Sequence, residues 1–376
     1  MNQNPLEDAL EITDIKCYVM ASVAQPASYR WRTGIPLGDG TPIGDTQHSA
    51  ILKIETDEGI VGAARGRRGY RVADVVKRRL KYLVGEDPLM TERLWELVWE
   101  IDRIEEIQIH DLGLLDQACW DIKSQKAGMP LYQLLGGYEA RVPAYASTVT
   151  WDTMGEYERY IKMCMDEGFT AFKLHAWGDA KEDAKLSHNL RKWTGSDADL
   201  MFDGSAGWDY VTSMTFGREL ESAGFLWYEE PMREFDLVSY AELSRALDIP
   251  ILAAETCDGV HWNAATWIQT RALDMVRTSA AFKGGMTGAM KVAHLAESFG
   301  MRAEVHGGGY ANLHLCAAIP NNTYFEALVI DEKQIKGLKD QGDLAVIDGH
   351  ITAPSASGLQ PQPDWAKVEA EAVLVV

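Results

Sequence analysis

The chain has 376 residues, enough for two domains of which one can be a barrel, and its 46% apolar and 24% charged residues are ordinary for a folded globular protein. A formal net charge of −20 argues against nucleic acid or an anionic membrane as partner, because both demand a basic face. No apolar run approaches the roughly 20 residues that span a bilayer.

Residues 1–12 are polar and acidic and lack a signal peptide's basic start and apolar centre, so a cytoplasmic location is expected. The five cysteines (Cys17, Cys119, Cys164, Cys257, Cys316) are scattered and form no CxxC pair, which predicts reduced thiols. EITDIKCYVM and HSAILKIETDEGIVGA alternate like antiparallel strands, with DEG as the turn. Between them, residues 22–45 are rich in Gly and Pro and read as a lid loop that carries Arg30, Trp31 and Arg32. A second basic cluster, RGRRGYR (65–71), begins with Arg65 and offers guanidiniums that can clamp a distal carboxylate or hydroxyl, or simply face solvent. Helical stretches follow, including VADVVKRRLKYLVG and LGLLDQACWDIKSQKAG.

From about residue 142 to 330 eight short apolar segments read as strands: VPAYAS, AFKLHA, LMFDGS, LWYEEP, ILAAET, MVRTSA, AEVHGG and YFEALV. Segments of helical spacing separate them, and Gly168, Gly224 and Gly300 close three of these as C-terminal signals. Eight strands with seven helices predict a parallel α/β barrel, with an open doubly wound sheet as the alternative. After residue 331 the chain returns to short strands (DLAVIDGHITAP). The expected organisation is a capping domain at 1–135, a barrel at 136–330, and a return to the cap at 331–376.

Asp203, Glu229, Glu255 and His306 fall near the C-terminal ends of their strands, the barrel face that carries chemistry. The first three are spaced 26 residues apart, one strand–helix unit, so they project from successive strands to a common point. Three carboxylates suit a hard cation, and Mg²⁺ would keep its other octahedral positions for water and substrate oxygens. Glu230, adjacent to Glu229, points the other way by strand alternation and is expected to support the ligands from behind.

The segments FDGSAGWD, WYEEP, AAET and FKGGMTG, with LLDQACWDIKSQKAGMPLYQLLGG and ETDEGIVGAA in the first domain, resemble the enolase superfamily, in particular its mandelate racemase branch. The resemblance covers nearly the whole chain. It implies a (β/α)7β modified TIM barrel under an α+β cap, one Mg²⁺ per subunit, and homo-oligomeric assembly. It also implies the chemistry general to that superfamily, a Lys or His base with Mg²⁺ stabilising an enediolate. Lys173 and His175 in KLH resemble the branch's Lys-x-Lys pair, with His175 in the position of the reacting base. Lys173 then lowers its neighbour's proton affinity and holds a substrate oxygen; the two roles can also be exchanged. His306 matches the catalytic histidine on the opposite side. Its aspartate partner on the sixth barrel strand is replaced here by Ser279, which makes His306 a weaker base and a readier acid. Glu326 matches a residue that hydrogen-bonds a substrate carboxylate, for which it could be protonated. Ser205, beside Asp203, is placed with Glu230 and Ser279 around the first set.

The implied substrate is a small acid sugar or its lactone. The expected reaction removes the proton alpha to a carboxylate and then eliminates water to a 2-keto-3-deoxy acid. Sugar-lactone cycloisomerisation, epimerisation or racemisation is the alternative through the same enolate. A non-catalytic acid-sugar binding or regulatory protein is the alternative of a different kind.

Overall fold

A computed structural model describes residues 9–21 and 48–376. The lid residues Arg30 and Trp31 therefore lie outside the described residues.

Three antiparallel strands open the fold: β1 (Ile12–Ala21), β2 (His48–Thr56) and β3 (Val61–Arg67). The predicted DEG turn joins the last two, closed by Gly59 N–H donating to Thr56 O. Helices α1 (Gly69–Arg78), α2 (Thr91–Trp95), α3 (Leu97–Glu105), α4 (Gly113–Ala127) and α5 (Leu131–Leu134) follow. Helix α4 lies against β3 so closely that a Cβ on Gly62 would stand 2.4 Å from Ala118 O, a distance only glycine allows.

All eight expected strands are present: β4 (Arg141–Thr148), β5 (Ala171–His175), β6 (Asp199–Asp203), β7 (Trp227–Glu229), β8 (Ile251–Ala253), β9 (Met275–Thr278), β10 (Arg302–Val305) and β11 (Phe325–Val329). Seven helices alternate with them: α6 (Met154–Asp166), α7 (Ala180–Thr194), α8 (Tyr210–Ser222), α9 (Leu237–Ala246), α10 (Val260–Thr270), α11 (Met286–Ser298) and α12 (Tyr310–Ala318). The strands pair in parallel and in chain order from β4 to β10, and β11 pairs with β4. The architecture is thus a cap joined to a TIM-barrel-like α/β unit. Among the described residues β10 and β11 share no ladder. One backbone bond, Ala303 N–H to Asn321 O at 2.8 Å, and side chains join that seam instead: Val305 N–H donates to Asn322 Oδ1 at 2.9 Å, and Gly307 N–H to Glu326 Oε2 at 2.7 Å.

Strand alternation sends every second residue inward. Tyr145, Ala171, Met201, Trp227, Leu252 and Met275 pack there as an apolar plug separate from the larger core between strands and helices. The charged residues sit above this plug.

Beyond the barrel come α13 (Glu332–Lys336), β12 (Val346–Ile347), β13 (His350–Thr352), α14 (Trp365–Glu371) and β14 (Ala372–Val375). The DLAVIDGHITAP strands extend the barrel, since β13 pairs antiparallel with β4; only β14 joins the cap sheet, beside β1. Among the described residues no helix is long and apolar enough to cross a membrane.

Cap and barrel are fastened through buried polar groups. Asp116 of α4 accepts from Thr287 N at the start of α11, and Asp121 accepts from Ala63 N and Leu359 N. His314 of α12 accepts from Tyr132 N at Nδ1 and donates from Nε2 to Leu359 O, so its ring is neutral. Burial, opposed by the Leu359 bond, pulls its pKa from 6.5 down to about 4. A histidine with a depressed folded pKa leaves stability intact above pH 6.5 and erodes it as the pH falls toward 4, because the unfolded chain binds the proton first. The effect is on the order of 3 kcal/mol. Melting temperature should therefore fall more steeply between pH 6.5 and 4.5 for the wild type than for His314→Gln; parallel curves would contradict this.

Candidate active site

The mouth of the barrel is built from lateral neighbours. His175, Asp203 and Glu229 are successive Cα partners across β5, β6 and β7. The chain then leaves three adjacent strands through left-handed backbone at non-glycine residues: Ser205 (φ 46°) after β6, Glu230 (φ 39°) after β7 and Ala254 (φ 71°) after β8. Such conformations cost of order 1–3 kcal/mol each and persist where surrounding structure enforces them. Here they turn the chain at the ends of three strands that carry carboxylates.

Lys173 and Arg277 are fully buried at the centre. Lys173 Nζ lies 3.0 Å from Glu229 Oε2, 3.0 Å from Glu326 Oε1 and 3.4 Å from Asp203 Oδ2. Burial opposes its charge, but Glu229, Glu326 and Tyr145 outweigh it and hold the ammonium's pKa well above the ordinary lysine value. Three carboxylate oxygens within 3.4 Å favour its charged form. His175 remains at the rim, with Nδ1 2.6 Å from Thr148 O and Nε2 2.9 Å from Asp203 Oδ2. A carbonyl can only accept, so Nδ1 carries a proton, and Nε2, toward the mouth, lies against the Asp203 carboxylate.

Across the mouth, His306 Nδ1 stands 2.9 Å from Glu255 Oε2 and 3.5 Å from Glu326 Oε2. Burial pulls this histidine's pKa down, yet the two carboxylates raise it on balance. Ser279 does not reach it: its hydroxyl accepts from Ala281 N and lies 3.5 Å from Asn312 Oδ1. Glu230 turns behind the site, where Oε1 accepts from Glu255 N at 3.2 Å. Ser205 N–H donates to Asp203 Oδ1 at 2.7 Å. Arg65 is exposed on β3, and its charge is felt at Tyr310, which opens the helix following His306.

Glu326 differs from the protonated group that the sequence suggests. Ser147 Oγ and Lys173 Nζ reach Oε1, while Gly307 N and Arg277 Nη2 reach Oε2. Burial pushes the carboxyl's pKa up, but Lys173 and Arg277 hold it well below the usual range, so it is a carboxylate.

Two of the three expected carboxylates cluster as a hard cation requires, with a histidine nitrogen beside them. One oxygen of Glu229, one of Glu255 and a ring nitrogen of His306 lie within 4.8 Å of one another. Glu229 Oε1 and His306 Nδ1 make no hydrogen bond of good geometry, although Arg277 Nε is 2.7 Å from the former and Glu255 Oε2 2.9 Å from the latter. Asp203 lies outside that group, engaged by His175 and Lys173, and borders it through its ladder neighbour Glu229.

Residues 156–367 match the enolase C-terminal domain-like family, and residues 30–136 match the mandelate racemase/muconate lactonizing enzyme N-terminal domain. The chain belongs to the mandelate racemase/muconate lactonizing enzyme family of the enolase superfamily. Among solved structures of this family's fold, D-glucarate dehydratase from Agrobacterium tumefaciens, complexed with magnesium, is 31% identical with a TM-score of 0.85, covering 97% of this chain and 99% of that one. Arabinonate dehydratase of Saccharolobus solfataricus is 27% identical over 328 residues, 82% of this chain and 86% of the relative. D-galactarolactone cycloisomerase of Agrobacterium fabrum is 26% identical over 342 residues, 84% and 89% of the two chains.

Sequence reasoning missed Arg277, although the signal was present. Arg277 alternates with Met275 and Ser279 in MVRTSA, so it shares their inward face. An arginine there must be compensated. Asn312 was also missed; its Nδ2 donates to His306 O at 2.7 Å. Replacing Lys173 with Met should destabilise the protein by about 3–5 kcal/mol, because buried carboxylates lose their counter-charge. Denaturant unfolding measures this, and an unchanged midpoint would contradict the assignment.

Proposed function

We propose that this protein catalyses Mg²⁺-dependent abstraction of the proton alpha to an acid-sugar carboxylate, followed by β-elimination of water to a 2-keto-3-deoxy acid. The observation that carries this reading is the placement of His175 and His306 on opposite sides of one carboxylate cluster, on β5 and just beyond β10. The domain reading is a (β/α)7β barrel at 136–330 with a cap drawn from 1–135 and, of the expected return at 331–376, the strand β14 beside β1, assembled as a homo-oligomer in the cytoplasm.

Asp203, Glu229 and Glu255 would hold one Mg²⁺ per subunit. When bound, the ion supplies the positive charge that stabilises a dianionic enediolate. His175 Nε2 would take the α-proton once Asp203 is turned from it to hold the ion, and Lys173 keeps the site cationic beneath the substrate carboxylate. Electrons from the broken C–H bond first move onto the carboxylate as the enediolate, then return to form the C2–C3 double bond as the C3–O bond breaks. His306, protonated between Glu255 and Glu326, gives its proton to the departing hydroxyl, which leaves as water. The enol then tautomerises to the 2-keto-3-deoxy acid. Arg65, with Arg30 and Trp31 of the lid loop, recognises the distal end of the substrate.

The dehydratase relatives support this outcome, and the 26% identity to a galactarolactone cycloisomerase supports isomerisation through the same intermediate as the second reading. Incubation with Mg²⁺ in D₂O against aldonates, aldarates and their lactones, followed by proton NMR, separates them. A 2-keto-3-deoxy product is expected, with the rate reduced by about 10³-fold in His175→Gln and by chelation of the metal. A rearranged lactone or deuterated epimer would move the assignment to the isomerases. A panel left unreacted and undeuterated would favour a binding protein.

A further inference from the structure

We propose that Arg277 and Glu326 together form the positioning device for His306; this rests on His306 acting in the proposed reaction. The geometry around His306 is the first ground. The carbonyl of the preceding residue, Val305, accepts from Arg277 Nη1 at 3.2 Å, and the N–H of the following residue, Gly307, donates to Glu326 Oε2 at 2.7 Å. Arg277 Nη2 donates to that same Glu326 oxygen at 3.1 Å. The backbone on both sides of His306 is therefore tied to one ion pair. The seam location is the second ground. His306 stands at the end of β10, which has no ladder to β11, so no regular sheet hydrogen bonding fixes this strand end on that side. Arg277 on β9 reaches across to β11 and substitutes for it.

Capacity is the third ground. An ionised carboxylate offers about four lone-pair positions. Ser147, Lys173, Gly307 and Arg277 fill those of Glu326, so nothing remains for a substrate oxygen. Arg277 is similarly engaged, with Nη2 also donating to Tyr145 Oη at 2.8 Å and Nε beside Glu229. Only a planar guanidinium can serve carbonyl, carboxylate and phenol at once, so lysine cannot reproduce the arrangement. Ser279, at the position of the usual aspartate, is turned to Ala281 and Asn312, so it does not compete for this role.

The test compares Arg277→Met, Arg277→Lys, His306→Asn and the Arg277→Met/His306→Asn double variant. A displacement of His306 of about 1 Å corresponds to a loss of about 100-fold in kcat. Arg277→Met should show that loss with KM little changed, and the double variant should be no slower than His306→Asn alone. Losses that multiply in the double variant would overturn the proposal. A second readout needs no turnover: in ¹⁵N-histidine spectra of this nine-histidine chain, the signals missing in His306→Asn identify His306. They should shift or broaden in Arg277→Met while those of the others stay in place; unchanged His306 signals would overturn the proposal. If Arg277→Met fails to fold, Arg277→Lys carries the test, with an intermediate kcat loss and the same His306 displacement expected, and full activity with unmoved signals as the contrary result. An inactive wild type would instead count against the proposed reaction, and the spectra would still decide the role of Arg277.

Discussion

Four carboxylates converge inside the mouth of the barrel, and taking that much negative charge out of water is unfavourable unless it is compensated. Lys173 and Arg277 supply the compensation from below, each touching two or more of the acids, with His175 and His306 at the flanks. Much of the local structure answers to this requirement. The apolar plug of Trp227, Met201 and their neighbours closes the barrel beneath the charges, and the strained turns after β6, β7 and β8 lie at the strand ends that carry the acids. Two buried cations against four carboxylates still leave the site short of positive charge, which a bound divalent cation would supply.

Glu326 joins the two halves of this arrangement. One oxygen is held by Lys173, which also contacts Asp203 and so the His175 side; the other is held by Arg277 and Gly307, on the His306 side. His175 and His306 therefore stand on a shared framework rather than on independent strands. Helix α4 performs a comparable service at larger scale. Its Asp116, Gln117 and Asp121 bond to the barrel and the C-terminal segment, so the cap end that carries Arg65 is fixed relative to the mouth.

Much of this was legible in the sequence because it is periodic. A strand–helix unit repeats about every 26 residues at Asp203, Glu229 and Glu255, and alternation along KLH puts Lys173 and His175 on one face. Contacts between non-neighbouring strands leave no such trace. Glu255 and His306 meet although their strands, β8 and β10, are separated by β9, and nothing in the spacing announces that pair. The saturation of Glu326 likewise depends on four residues from four parts of the chain. Arg277 was readable by the same alternation, since it shares an inward face with Met275 and Ser279. Alternating apolar residues at 346–352 correctly indicated strands, yet the pattern cannot say which sheet receives them, and they join the barrel.

The central claim is that Asp203, Glu229 and Glu255 together form a single cation site on which the chemistry depends. Calorimetric titration of Mg²⁺ into the metal-free wild type and into Asp203→Asn, Glu229→Gln and Glu255→Gln tests it most directly. One ion per chain in the wild type, with binding lost or greatly weakened in each variant, is the predicted result. No binding to the wild type, or binding that survives unchanged in all three variants, would contradict it.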